Sequence, residues 1–376
     1  MTDIVIAAYR RSPFTLANKG ALTKLRPDDL AADVVRAMVD GIDTGGIEDI
    51  IVGCAFPEGE QGLNVARLVG FIAGLPQSVA ATTVNRFCGS SMQAVHQAAG
   101  AISLGAGAAF ICAGVESMTR VPTMGFNPMP NPALAKAYPQ AYVSMGETAE
   151  NVAQRHQIGR AEQEAFSAHS QAKAAAARAE GRLADEIVAV GPAGKQVTED
   201  GCIRADTTSE SLAALKPAFR LDGTVTAGTS SPLTDGAAAV LVCTADYARA
   251  NGLSPLARVK SVAVSGCAPE IMGMGPVEAT RKALARAGLT LRDIDVIELN
   301  EAFASQSIAC IRELGIDEDR LNLDGGAIAL GHPMGATGAR IVGKAAALLR
   351  RTGGRHALAT QCIGGGQGIA TVLEAL

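Results

Sequence analysis

The sequence predicts an α/β fold made of two similar halves, with an insertion in the first. Three observations carry this. Short β-rich runs alternate with Ala-rich helical runs along the chain. The order helix, strand, helix, strand recurs at a fixed offset. Ile50 and Ile294 lie 244 residues apart, and so do Cys88 and His332, each just before a predicted helix. Finally, residues 119–234 differ in character from what flanks them.

The elements follow in order. DIVIAAYR opens as a strand, and PDDLAADVVRAMVD reads as a helix with Pro27 and two Asp in its first turn. DIIVGCAF is a strand, residues 89–104 form a small-residue helix, and AAFICAGVES is a further strand. Then comes the Pro- and Met-rich VPTMGFNPMPNPALAKAYP, the helical AEQEAFSAHSQAKAAAARAEGR and the turn-rich GPAGKQVTEDG. DGAAAVLVCTADYARANG resumes the strand–helix rhythm and completes the first half. In the second half, PVEATRKALARAG is a helix, DIDVIELN a strand, GATGARIVGKAAALLR a helix and HALATQCIG a strand. The expected units are 1–118 plus 235–253, an inserted 119–234, and 254–376.

Composition sets the function classes. With 48% hydrophobic and 19% charged residues, a large core is available and disorder is not expected. A net charge of -4 gives no reason to expect a nucleic-acid partner. The 42 glycines show no short period, so they mark turns and close backbone approaches. None of the eight cysteines forms a C-x-x-C pair, which indicates neither zinc nor a dithiol motif, and reduced buried thiols are expected. No leader pattern, bilayer-length apolar run or targeting tripeptide is read, so a soluble cytoplasmic protein without a membrane span is the expectation.

Four positions can carry chemistry. Cys88, in TTVNRFCGSSMQA, lies where a β-rich stretch meets a helix, and the helix dipole would favour its thiolate. A buried structural cysteine is the alternative. His332, in GGAIALGHPMGATGARI, is flanked by Gly331 and Pro333, a poor setting for a core residue. A neutral imidazole there can accept a thiol proton or donate to an oxyanion. The duplication places it opposite Cys88, where two helix N-termini meet. Cys362 precedes three glycines whose N–H groups suit an oxyanion hole; it is either an acid/base or a structural thiol. Asn300, at a strand-to-helix junction, is either an N-cap or the holder of a water or carbonyl. Gly228, Ser230 and Ser231 lie in a loop that could bond an extended amide ligand or merely turn.

The motifs VNRFCGSSMQA, AGTSSPLTDGAA, LNEAFA, GGAIALGHPMGATGAR and CIGGGQGIA, in this order, resemble the thiolase family over essentially the whole chain. The resemblance implies a duplicated five-layer αβαβα core with an inserted loop domain that binds coenzyme A, and a homodimer or homotetramer. It implies Cys88 as acylated nucleophile, His332 as its activator and an oxyanion donor, and Cys362 as acid/base at carbon. It implies Asn300 as holder of an oxyanion-hole water, and the Cys88 and Gly364 N–H groups as a second hole. Ser231 and Gly228 match CoA-contacting positions, and Phe219, Met145 and Phe303 match apolar residues along the pantetheine channel. The expected reaction is cleavage of 3-oxoacyl-CoA by CoA in β-oxidation. CoA is a substrate, with no cofactor and no metal. The resemblance extends to bacterial enzymes that pair with a multifunctional hydratase–dehydrogenase subunit, and no residue of this sequence marks such a partner. C-G-S-S-M-Q-A and Ser144 in SMGETAEN resemble the degradative branch, whereas TAEN and CIGGG are shared with the biosynthetic acetoacetyl-CoA branch. A decarboxylating ketosynthase-like enzyme would lack the second cysteine. A non-catalytic acyl-CoA- or lipid-binding homologue would have lost the nucleophile or the GHP histidine.

Overall fold

Residues 3–376 are described by a computed structural model. The strands are β1 (Ile4–Arg11), β2 (Thr15–Leu16), β3 (Asp49–Gly53), β4 (Ala80–Val84), β5 (Ala109–Ser117), β6 (Thr234–Thr244), β7 (Ala257–Gly266), β8 (Val296–Leu299), β9 (His356–Ile363) and β10 (Gln367–Glu374). Their order is β4-β3-β5-β6-β1-β7-β10-β9-β8, with the short β2 on β6. The two halves meet at β1 and β7, where Val5 pairs with Arg258 and Ile6 with Ala257.

Strand alternation shows why five layers form. In β5, Ala109, Ile111, Ala113 and Val115 pack toward the outer helix Pro27–Met38, while Phe110 and Cys112 pack toward the helix Ser90–Ser103. In β9, Ala357, Ala359 and Ile363 face the central helices, while Leu358 faces the outer helix Gly275–Ala287. Both faces of each sheet half are covered, so these strands read as apolar runs rather than alternating ones. The middle layer is Ser90–Ser103 beside Met334–Thr352. These helices approach closely because position 338 is glycine: a Cβ there would overlap the Met92 backbone. The Ala339 N–H also donates to Ser91 Oγ at 2.8 Å.

The duplication is visible in strand pairing. β3 sets Asp49 beside Phe110 and β8 sets Val296 beside Ala357, both parallel and both across 61 residues. The central helices begin at Ser90 and Met334, which keeps the offset of 244. The strand equivalence needs correction. Ile50 lies within β3, but Ile294 precedes β8, because the stretch from strand start to central helix start is 41 residues in the first half (Asp49 to Ser90) and 38 in the second (Val296 to Met334).

Between β5 and β6 the chain leaves the sheet. Its helices Met145–Arg155 and Arg160–Ala179 pack against the second half, with Val152, Ile158 and partly buried Phe166 beside Ala304, Ile308 and Ile328. A buried ion cluster ties this segment back to β1. Arg11, fully buried, donates to both oxygens of Asp200 at 2.7 and 2.8 Å and to Glu186 at 2.8 Å. Lys344 of the central helix also reaches Glu186, at 2.9 Å. Removing one member strands buried charge, so Arg11→Leu should cost about 3–5 kcal/mol. Urea unfolding monitored by circular dichroism checks this; a loss under about 1 kcal/mol would show that the cluster is dispensable.

Candidate active site

Cys88 is set on a strained turn. β4 ends at Val84, and Phe87 then adopts φ 42, a left-handed value rare for a bulky residue. Asn85 Oδ1 accepts from the Phe87 N–H at 2.8 Å, and Ser90 Oγ donates to the Phe87 carbonyl at 2.6 Å. The turn delivers the sulfur just ahead of the helix Ser90–Ser103. Gln361 of β9 donates its side-chain amide to the Cys88 carbonyl and so fastens the turn to the second half. Sequence reading missed Phe87 and Gln361. Positive φ at phenylalanine leaves no compositional trace, and the Gln361 contact spans 273 residues.

The electrostatics correct one expectation. Burial pushes the Cys88 thiol up to about 11; the N–H groups of Gly364 and of Cys88 itself pull the other way, and the Glu116 charge raises it further. Desolvation outweighs the helix dipole here, so the resting group is a thiol and not the expected thiolate. Alkylation by iodoacetamide should therefore accelerate by about 9-fold between pH 9 and pH 10, where an unperturbed thiol of pKa about 8.5 gains only about 1.3-fold. A plateau below pH 9 would contradict this.

His332 sits two residues before the helix Met334–Thr352. Its backbone N–H donates to Thr234 Oγ1 at 3.0 Å, and its Nδ1 lies 2.7 Å from Thr337 Oγ1. That hydroxyl donates to the Pro333 carbonyl at 3.1 Å, so it accepts from Nδ1–H and leaves Nε2 with its lone pair. Burial, reinforced by the Arg340 charge, lowers the imidazole to about 3, which keeps it neutral at physiological pH. The Asn300 amide nitrogen lies 3.5 Å from both ring nitrogens, and its carbonyl oxygen is buried without a partner among the described residues. Asn300 is not an N-cap. The following helix, Ala304–Leu314, starts from Phe303, and the Asn300 backbone is held by the Thr360 carbonyl at 3.0 Å. Among the described residues the ring bonds Thr337 and Asn300, not the Cys88 sulfur.

Cys362, on the opposite face of β9 from Gln361, packs with Ala302, Phe303, Met272 and Met145. Burial pushes its thiol well above the usual cysteine range, and the neighbouring Cys88 adds to this. The glycine run works differently from expectation. Gly364 points its N–H toward Cys88, whereas Gly365 and Gly366, with φ of 78° and 82°, make the turn into β10. Only one of the three therefore serves the thiol, because closing a hairpin requires the other two.

An apolar wall stands beside these groups. Met145 begins a helix capped by Ser144 Oγ, and it packs on Gly364. Phe219 meets Phe303 edge to face at 5.9 Å. The Ser231 N–H donates to the Ala302 carbonyl at 3.0 Å, which fixes its loop against Phe303. Gly228 lines a surface crevice with Leu212, Arg204 and Thr207. Cys88 and His332 keep 6% and 7% exposure while Cys362 and Asn300 keep none. The fold thus brings these groups from four segments: Cys362 and Gly364 lie beside Cys88, Asn300 lies beside His332, and Met334, two residues after His332, packs against Cys88.

Two family models cover this chain: "Thiolase, N-terminal domain" over residues 4–246 and "Thiolase, C-terminal domain" over 253–375. The chain belongs to the thiolase family. Similar curated proteins include the 3-ketoacyl-CoA thiolase of Bacillus subtilis (strain 168), 49% identical, and that of Aeromonas salmonicida (strain A449), 48% identical. Each match spans 100% of both chains. Among solved structures, human mitochondrial 3-ketoacyl-CoA thiolase in complex with CoA superposes with a TM-score of 0.92 at 36% identity, covering 100% of this chain and 98% of that one. This member of the thiolase family is thus an acyltransferase with the duplicated thiolase fold.

Proposed function

We propose that this chain catalyses thiolytic cleavage of 3-oxoacyl-CoA by CoA, giving acetyl-CoA and a shortened acyl-CoA, the bond-breaking reaction of fatty-acid β-oxidation. The observation that carries this reading is Cys362 beside Cys88 and Asn300 beside His332, with Met334, two residues after His332, packed on Cys88. It occurs in a chain alike over its full length to proteins named 3-ketoacyl-CoA thiolase.

The Cys88 thiol and the His332 imidazole are both neutral at rest, so no preformed thiolate is available. The sulfur attacks the 3-keto carbon as its proton passes to Nε2 of His332. The C2–C3 bond then breaks, leaving the acyl group on Cys88 and the electron pair on C2 as an acetyl-CoA enolate. His332 and an Asn300-held water meet the enolate oxygen, and Cys362 delivers its proton to C2. CoA next loses its thiol proton to Cys362 and attacks the acyl-Cys88 thioester. The N–H groups of Cys88 and Gly364 stabilise that oxyanion, and Cys88 regains a proton as it leaves. CoA is a substrate, and no step calls for a metal or redox cofactor. Met145, Phe219 and Phe303 flank the pantetheine arm, with Gly228 and Ser231 further along it.

The reading extends to a cytoplasmic homodimer or homotetramer. Among the described residues, edge strand β4 pairs only with β3 and keeps part of its length exposed, and Leu63, Phe71 and Ile72 are exposed apolar neighbours in sequence. Among the described residues no helix is long and apolar enough to cross a membrane. A multifunctional β-oxidation subunit is the heterologous partner that fits this reaction. Initial rates of CoA-dependent cleavage over a series of 3-oxoacyl-CoAs, from acetoacetyl-CoA upward, test the proposal. Cleavage of none of them by folded protein would overturn it.

A further inference from the structure

Glu116 is a buried carboxylate with no cation. It lies on β5 with 1% exposure, and among the described residues no lysine or arginine pairs with it. Its Oε2 accepts the N–H groups of Ala55 at 2.8 Å and Gly335 at 2.9 Å. Its Oε1 accepts from the Gln61 side chain at 2.9 Å, the Phe56 N–H at 3.3 Å and the Cys54 thiol at 3.7 Å. Burying an unpaired carboxylate is unfavourable unless donors satisfy both oxygens, which happens here. The donors come from both halves of the chain.

Two chains of contacts leave this carboxylate. On one side the Ala55 carbonyl accepts from Asn85 Nδ2 at 2.9 Å, and Asn85 Oδ1 accepts from the Phe87 N–H at 2.8 Å, next to Cys88. On the other side Gly335 is the second residue of the helix Met334–Thr352, three residues after His332. A carboxylate at a helix N-terminus is held by the open N–H groups and the dipole. Backbone proximity leaves no slack: a Cβ at Gly335 would lie 2.8 Å from the Gly53 carbonyl oxygen, and one at Gly114 would overlap the Gly335 carbonyl.

We infer that Glu116 is a positioning residue that fixes the nucleophile turn and the histidine loop at a set separation, through Ala55, Asn85 and Phe87 on one side and Gly335 on the other. The inference rests on the thiolase reading for its kinetic readout. Only a carboxylate serves both donor sets, since an amide would turn an NH2 toward one of them. The titratable groups facing it are the thiols of Cys54 and Cys88, and its charge holds both of these up.

Three variants test it, each measured for kcat, KM and the pH profile of Cys88 alkylation. Glu116→Gln should lower kcat by about 10²-fold, the scale of a misplacement near 1 Å, with KM for 3-oxoacyl-CoA within about threefold. Its alkylation profile should move to lower pH, because the adjacent charge is gone. Glu116→Asp keeps the charge but reaches only one donor set, so kcat should fall while the profile stays. Asn85→Ala cuts the nucleophile side at an exposed residue and should lower kcat, again without moving the profile. A Glu116→Gln enzyme with kcat within threefold of the parent, or an unmoved alkylation profile, would overturn the inference. If Glu116→Gln does not fold, an Asn85→Ala enzyme at parental kcat overturns it instead. The alkylation readout needs no turnover, so an unmoved profile in an inactive parent would refute the inference separately from the thiolase reading.

Discussion

Cys88→Ala should abolish CoA-dependent cleavage, lowering kcat by at least about 10⁴-fold, the scale seen when a covalent nucleophile is removed. Incubation with acetyl-CoA should then give no acyl mass increment on the protein, whereas the parent enzyme should gain one acetyl group. The fold should survive. The Gln361 bond goes to the Cys88 carbonyl, and the bonds of Asn85 and Ser90 go to the Phe87 backbone, so the turn keeps its supports without the sulfur. The loss is therefore chemical rather than structural. Turnover within tenfold of the parent, or acylation at a different cysteine, would remove Cys88 from the mechanism.

Cys362→Ala separates the two half-reactions. Its sulfur is held protonated by burial and by Cys88, which is the form needed to protonate the acetyl carbon. Without it, transfer of an acyl group from a thioester to Cys88 can still occur slowly, so the acetyl mass increment should persist. Carbon–carbon bond cleavage should fall by about 10³-fold, within the range for loss of a general acid–base. The variant leaves a small cavity among Met145, Met272 and Phe303, and the soft methionines can relax into it. Cleavage of acetoacetyl-CoA, followed as loss of enolate absorbance, gives the kinetic arm, and intact-protein mass spectrometry gives the acylation arm. Near-parental cleavage by this variant would assign the proton transfer to another group.

Much of the fold was legible in the sequence because its signals are local. Pro27 with Asp28 and Asp29 marks the first helix start, and Ile4–Arg11 and Ala109–Ser117 read as strands. The helix pair at Ser90 and Met334 keeps the offset that linked Cys88 to His332. The features that failed were contests between forces. A helix N-terminus argues for thiolate at Cys88, and only burial depth shows that desolvation wins. Three glycines after Cys362 look equivalent, and only the hairpin shows that Gly365 and Gly366 are spent on the turn. Asn300 looks like a cap until the next helix is seen to start at Phe303.

By itself, the sequence determined the element order, the internal repeat, the residue types able to do acyl chemistry and the family resemblance. These depend on neighbours in the chain or on short motifs. Tertiary structure alone decided which groups meet and in what protonation state: Glu116 with Gly335, Gln361 with the Cys88 carbonyl, Thr337 setting the His332 tautomer, and Arg11 with Asp200. Most of these contacts join residues far apart in the chain, and solvent exclusion, which sets the titration of buried groups, comes from packing five layers together. Neither quantity is written in any local stretch of residues.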